Sequence, residues 1–370
     1  MVGSILVFLV VLSILVLVHE LGHFLMARSS GVLVEEFGFG LPPRIYGIRI
    51  GETLYSINLL PFGGFVKLHG ESDEEGISFP GKAFLNKNKR TRISIIVAGV
   101  VMNFILGILA FAVVYSFSGI PRQTQNVKVV EVSSGSPAQV GGVIVGDVVK
   151  KVGGKEISSN DEFIRLVEEE KGKKVPIELE RETNGQKETK KITLTPRETP
   201  PEGEGPLGVT ITDSEIYYPP VLARPFVGIY YGFKEALFWG KTVTLGFVKI
   251  FTDLFAGQVP KDLAGPVGIF AITSEAAKIG TLALINFVGI LSVNLAILNI
   301  IPFPALDGGR LAFIGIETIF GKKVLPKFEA MAHTIGMIIL LLVLLAITAH
   351  DIQRLIASGS ISGFIESVLK

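Results

Sequence analysis

Leu15-Val16-Leu17-Val18-His19-Glu20-Leu21-Gly22-His23-Phe24-Leu25-Met26 is the stretch that decides how this chain is read. Three ionisable side chains sit inside an otherwise apolar run from Val2 to Ala27. A helix of roughly 25 residues, rising about 1.5 Å each, exceeds a hydrocarbon core of about 30 Å. No basic segment precedes the run and no small-x-small site follows it, so it reads as a retained span, not a signal peptide. Ionisable groups in a span are costly and mark function by default. On a helix, His19 and His23 are one turn apart and share a face, so both imidazoles can reach one ion. Glu20 is turned by about 100° from His19, placed to handle a metal-bound water without ligating. Zinc would bring the pKa of that water towards about 7. The plain alternative is a polar contact between spans.

Working outward, three more runs lack charge. They are Ile93–Phe117, about Leu282–Pro304, and about Met331–Ala349, where only His333 is ionisable. The whole chain has 370 residues, with 35 Lys+Arg against 34 Asp+Glu, a formal charge of +1. Only 19% is charged, against roughly 25% in soluble domains. The near-zero balance leaves no whole-chain electrostatic case for nucleic acid, and the apolar content excludes disorder. With no Cys, disulfides and thiolate metal sites are excluded. Any metal must use His, Asp, Glu or Asn. The expected fold is an α-helical polytopic membrane protein with four transmembrane helices, at 1–28, 93–118, 282–310 and 331–350.

Orientation follows from Lys and Arg. Nine lie between Arg28 and Arg92, and Arg310, Lys322, Lys323 and Lys327 follow the third run. Both short basic regions should be cytoplasmic, with the termini and the long segment 119–281 outside. Membrane lipid is then an obligatory partner.

Residues 29–92 start with a stretch punctuated by Gly and Pro, holding short β-prone pieces at Arg44–Ile50, Thr53–Leu59 and Phe65–Leu68. We expect a small sheet beside the first span, then a solvated loop. Residues 124–197 have a soluble composition. Val127–Val132 and Val175–Glu182 are strand-like, and Lys187–Leu194 follows across an Asn184-Gly185 turn. Ser159–Glu170 reads as a helix capped by Ser159 or Asn160. Gly135-Ser136-Pro137-Ala138, Gly146-Asp147-Val148-Val149 and Val152-Gly153-Gly154-Lys155 resemble a PDZ domain of the bacterial protease-associated kind. That resemblance covers about 70 residues and departs at Gly141-Gly142-Val143, before the Gly-Asp turn. It implies one inserted α+β PDZ domain, which would screen substrates by size exclusion or by gripping a peptide C-terminus. Residues 198–281 read as a linker and then an amphipathic helix, either a core helix or one lying in the membrane interface. Residues 351–370 form a tail.

A catalytic zinc usually has three protein ligands, and the first span supplies two. The third run ends Asn299-Ile300-Ile301-Pro302-Phe303-Pro304-Ala305-Leu306-Asp307-Gly308-Gly309. Asp307 precedes Arg310 by three residues and His23 precedes Arg28 by five. Both spans run from outside to inside, so the two sites share a depth near the cytoplasmic side. Pro302 and Pro304 break the helix there, freeing backbone groups that must line a polar cavity. In the second span Gly99, Asn103 and Gly107 share one face, as a packing seam or with Asn103 as a substrate contact. His69, His333 and His350 read as loop or interface residues.

These motifs together resemble the intramembrane site-2 protease family of zinc metalloproteases, in its bacterial PDZ-containing, RseP-like group. The resemblance rests on the HExxH pentapeptide in the first span, on Leu306-Asp307-Gly308 after Asn299 and two prolines, and on the PDZ phrases between spans two and three. Phe37-Gly38-Phe39-Gly40, Gly63-Gly64-Phe65-Val66-Lys67, Met102-Asn103-Phe104 and Gly265-Pro266-Val267-Gly268-Ile269 add to it. It implies Zn2+ bound by His19, His23 and Asp307, Glu20 as general acid/base, and Asn299 as a substrate-positioning or oxyanion-stabilising residue. It implies a membrane-associated β region that guides an unwound substrate, with an edge strand we place at Thr53–Leu59, so that Thr53, Leu54 and Tyr55 would contact substrate. It implies regulated intramembrane proteolysis of single-span transmembrane proteins, such as anti-sigma factors or remnant signal peptides, in a bacterial cytoplasmic membrane. The competing readings are a PDZ membrane scaffold with a vestigial metal motif and a metal transporter. Against the first, no member of the His/Glu/His/Asp set is missing. Against the second, the charged groups cluster at one depth.

Overall fold

In a computed structural model, residues 2–71, 77–183, 185–201, 203–256, 265–321, 324–360 and 363–365 are described. Asn184 of the expected turn, Lys322, Lys323 and part of the expected tail lie outside them. The chain divides into a unit of residues 1–117 and 221–370 and a unit of residues 118–220.

In the first unit, α1 (Val2–Ser29), α2 (Lys89–Ser118), α7 (Thr281–Ile300) and α9 (Pro326–Ser358) are long and apolar enough to cross a bilayer. Between α1 and α2 lie β1 (Val34–Ile50) and β2 (Thr53–Leu68). Each strand serves as two. Phe37 faces Val66 on one side and Tyr55 on the other, and Tyr55 also faces Ile48. The sheet order is therefore 44–50, 53–60, 34–41, 64–68. Proline cannot donate to a ladder, and Pro42-Pro43 and Pro61 fall where β1 and β2 change partners. The expected edge at Thr53–Leu59 is thus an interior strand, with its backbone paired to β1 on both sides. Local β-propensity could not show this, because both partners belong to one folded-back strand.

The sheet is fixed to the helices at one end. Phe24, Val34, Leu68, Phe84, Ile95 and Ile314 form one buried cluster. His69 links Glu35, at 2.7 Å, to the Phe79 amide, at 3.1 Å, and Arg92 pairs with Glu317 at 3.0 Å, both nearly fully buried.

The third span does not reach residue 310 as one helix. α7 stops at Ile300 because Pro302 and Pro304 lack the amides a helix needs, and α8 (Asp307–Phe320) starts after a tight loop. α5 (Arg224–Phe255) and α6 (Pro266–Ile279) precede α7. Of the two readings open for the amphipathic segment, packing describes the first half of α5. Gly228 and Gly232 lie against the Ala112 and Ile108 carbonyls of α2, and Ala236 is buried with Phe111 and Val293. The same half leaves Phe226, Tyr230 and Phe233 exposed. Glu235 is satisfied there by Tyr115 Oη at 2.8 Å and Trp239 Nε1 at 3.0 Å.

The second unit is an α+β fold around a six-stranded sheet. β3 (Ile120–Val132), β4 (Val148–Val152), β6 (Val175–Thr183), β7 (Gln186–Leu194) and β8 (Val209–Tyr217) run in the order β7-β6-β4-β3-β8, and β5 (Lys155–Glu156) pairs β4. After the short α3 (Pro137–Val140), α4 (Asn160–Glu169) packs Phe163, Leu166 and Val167 into a core with Val127, Val149 and Leu179. Ser159 is its N-cap, accepting from the Glu162 amide. The unit is larger than the expected 124–197. Residues read as linker include β8, which runs beside β3 from Val132↔Val209 to Ile120↔Tyr217. The Pro/Gly content that suggested a linker ends at Gly208, and the partner strand is too distant in sequence for local pattern to reveal the pairing.

Candidate metal centre

On α1, the Nε2 atoms of His19 and His23 are 3.1 Å apart, and their rings meet edge to face at 86°. Asp307 Oδ2 lies 3.0 Å from the first and 3.1 Å from the second. Three donor atoms from two elements therefore form a near-equilateral triangle. A zinc ion with ligands at about 2.0–2.1 Å sets tetrahedral edges of about 3.3 Å, close to what is seen.

The hydrogen bonding of His23 suits a cation there. His23 Nδ1 is 2.8 Å from the Ile95 carbonyl. A carbonyl only accepts, so Nδ1 carries the proton and Nε2 offers a lone pair to the triangle. Asp307 Oδ2 is buried with no hydrogen-bond donor among the described residues. Donor atoms pressed together in this way need a shared proton or a cation among them. The residues fit a His/His/carboxylate zinc site.

The local sequence explains how Asp307 arrives. It is the first residue of α8, where the helix dipole favours a carboxylate. A Cβ on Gly308 would lie 2.0 Å from the Ile301 carbonyl oxygen, so only glycine lets α8 start against the end of α7. Ala305 holds a left-handed φ of 84°, and its amide donates to His333 Nδ1 at 3.1 Å. The opposite wall is α2. A Cβ on Gly99 would lie 2.5 Å from His23 Nε2 and 2.8 Å from His19 Cε1. Four residues on, Asn103 is fully buried, with its amide 3.5 Å from His19 Nδ1.

Two cavities flank the centre. One, of about 370 Å³, is lined by Glu20, His23, Phe65, Asp307, Arg310 and His333 among others. The other, of about 250 Å³, is lined by His19, Glu20, Asn103, Asn299 and Asp307. Glu20 borders both, one residue from a donor of the triangle.

Of the residues singled out in the sequence, the fold thus brings together His19, Glu20, His23, Asp307, Asn299 and Asn103, and leaves Thr53, Leu54 and Tyr55 on an interior strand. The edge that does meet the centre is 64–68. It pairs with β1 on one side only among the described residues, Gly64 lies beside Glu20, and Phe65, Val66 and Leu68 line the larger cavity. The Gly63-Gly64-Phe65 phrase was the available signal. His333, read as an interface residue, also lines that cavity. Nothing in the sequence ties it to Ala305, because the contact joins a loop to a different helix. His69 lies with Glu35, outside the centre. Arg310, paired with Glu71, is a further cavity residue that its place three residues after Asp307 could have flagged.

Comparison with known proteins gives a match to the Peptidase family M50 model over residues 7–343. A Clostridium acetobutylicum protein, provisionally named a zinc metalloprotease, is 34% identical over 94% of this chain and 97% of its own length. A Clostridium perfringens protein named in the same way is 35% identical over 93% and 97%. The zinc metalloprotease RasP of Oceanobacillus iheyensis is 28% identical over 95% and 99%. Among solved structures, the PDZ domain of an SdrC-like protein from Listeria monocytogenes is 27% identical, covering 24% of this chain and 90% of that one, with a TM-score of 0.20.

Proposed function

Because this chain belongs to peptidase family M50, whose members are zinc metalloproteases, we propose that it is an intramembrane endopeptidase that cuts single-span membrane proteins. The observation that carries this reading is the His19, His23 and Asp307 triangle beside Glu20, with His19, Glu20 and His23 in an apolar helix long enough to span a bilayer. His19, His23 and Asp307 would hold the zinc, which would supply Lewis-acid activation of water and of the scissile carbonyl.

The chain's own residues do the rest. Glu20 takes a proton from the attacking water and returns it to the leaving amide nitrogen as the C–N bond breaks. Asn299, in the cavity shared with Glu20 and Asp307, donates its amide N–H to the oxygen on which charge develops. A helical substrate hides its carbonyls in its own hydrogen bonds, so it must unwind first. The 64–68 edge offers replacement backbone partners by strand addition. The substrates we propose are of the class of anti-sigma factors and remnant signal peptides, as the family resemblance implies.

We propose further that the metal centre lies near the cytoplasmic side of a bacterial membrane, with the termini and residues 118–220 outside, a reading supported by the basic residues after α1 and after α7. Residues 118–220 act as a PDZ domain that screens substrates, by size or by holding a peptide C-terminus.

The test is zinc content together with cleavage of a single-span substrate, in wild type and in Glu20→Gln. Zinc retained with cleavage lost is the expected result. Unchanged cleavage removes the enzyme reading from this site.

A further inference from the structure

We propose that Asn103 is a positioning residue for His19, its side-chain oxygen accepting the Nδ1 proton of that imidazole when the metal is held at Nε2. This rests on the reading that His19, His23 and Asp307 bind zinc.

The argument starts from protons. An imidazole that gives its Nε2 lone pair to a metal is neutral and carries its proton on Nδ1, which then needs an acceptor. Asn103 Nδ2 lies 3.5 Å from His19 Nδ1, which sets donor against donor in the metal-bound state. The other end of the same amide, Oδ1, is buried with no partner among the described residues. The two ends of an amide have nearly the same shape. A half-turn of the side chain brings Oδ1 to the Nδ1 proton and meets both needs at once.

Asn103 is also presented from a fixed point. Its backbone carbonyl accepts a hydrogen bond from Ser292 Oγ of α7 at 2.7 Å, in a fully buried contact. The same logic already operates one turn down the centre, where the Ile95 carbonyl holds His23 Nδ1. Ile95, Gly99 and Asn103 recur every four residues and so form one stripe of α2. In order, they supply an acceptor, an empty space and an acceptor. α2 contributes no ligand of the triangle, yet it sets the tautomer and tilt of both imidazoles. A fully buried Asn103 is better placed for this than for direct contact with a substrate.

The experiment measures zinc affinity by chelator competition on the full-length protein in detergent, and the visible spectrum after Co2+ replacement. Asn103→Leu keeps the shape and removes the acceptor, so zinc affinity should fall about 10–100-fold, as for other residues that orient metal ligands. Asn103→Ala is read in the same way if the Leu variant does not fold. Asn103→Asp keeps an acceptor and no donor, and should hold zinc within a few-fold of wild type with an unshifted Co2+ spectrum. Wild-type affinity in the Leu or Ala variant overturns the inference, as does a loss in the Asp variant equal to that in Leu. His19→Ala runs alongside. If it binds zinc normally, the ligand assignment fails and this inference with it. If it loses zinc while Asn103→Leu does not, this inference alone fails.

Discussion

Adding one methyl group at Gly99 should damage the metal centre more than the fold. The Cβ of Gly99→Ala would lie 2.5 Å from His23 Nε2, 2.7 Å from His23 Cε1 and 2.8 Å from His19 Cε1. Comfortable carbon contacts are about 3.5–4.0 Å, so the overlap with both rings is about 1 Å. A metal site tolerates about 0.2 Å in its ligand distances. The rings must leave their positions, or α2 must retreat and take with it the Ile95 carbonyl that holds His23. Overpacking of this size costs about 1–3 kcal/mol. Charged to metal binding at about 1.4 kcal/mol per tenfold, that is a loss of about 5–150-fold in zinc affinity. The control is Gly107→Ala on the same helix, whose Cβ would meet Val293 Cγ2 at 2.7 Å, away from the imidazoles. It should lower the melting temperature and leave zinc affinity alone. Chelator competition and thermal melting in detergent read the two effects separately. Wild-type zinc affinity in Gly99→Ala, or an equal loss in Gly107→Ala, would refute the view that α2 is shaped around the two rings.

Other perturbations test the frame of the site. Arg92 and Glu317, 3% and 4% exposed, form a buried pair joining α2 to α8; Glu317→Leu should destabilise by about 3–5 kcal/mol by stranding a buried guanidinium. Arg92→Met added to it should recover most of that loss in a melting experiment, and an equally unstable double variant would show that packing, not charge, dominates. His333→Asn keeps an acceptor for the Ala305 amide whereas His333→Leu does not, so only the Leu variant should loosen the Asp307 loop and weaken zinc binding; equal behaviour of the two counts against this anchor. In the unit of residues 118–220, Arg181 donates to both carboxylate oxygens of the fully buried Asp147 at 2.7 Å. Arg181→Leu should therefore lower that unit's stability by about 3 kcal/mol, measured by urea unfolding, while zinc affinity stays unchanged.

Much of the centre was legible because its parts are local patterns. His19, Glu20 and His23 are set by the period of one helix, and three ionisable residues in an apolar span stand out by composition alone. Asp307 was legible less directly, through the direction of two spans and its distance from the basic residues after each. The spans were legible for the same reason: length and apolarity are properties of a segment taken by itself.

What the tertiary structure decided concerns segments remote in sequence. Thr53–Leu59 is β-prone and expected at an edge, but β1 folds back to cover it on both sides, and among the described residues 64–68 is the strand beside Glu20 that pairs with β1 on one side only. β8 reads as linker in the sequence because a Pro/Gly-rich stretch leads into it and its partner, β3, is remote in sequence. Asn103 looked equally suited to packing and to substrate, and only its place against His19 Nδ1, with a side-chain oxygen that has no partner among the described residues, separates those roles. Periodicity and composition report which face or medium a residue prefers. They carry no information on which distant backbone or side chain fills the space opposite, and it is that partner which sets a tautomer, an edge or a cavity.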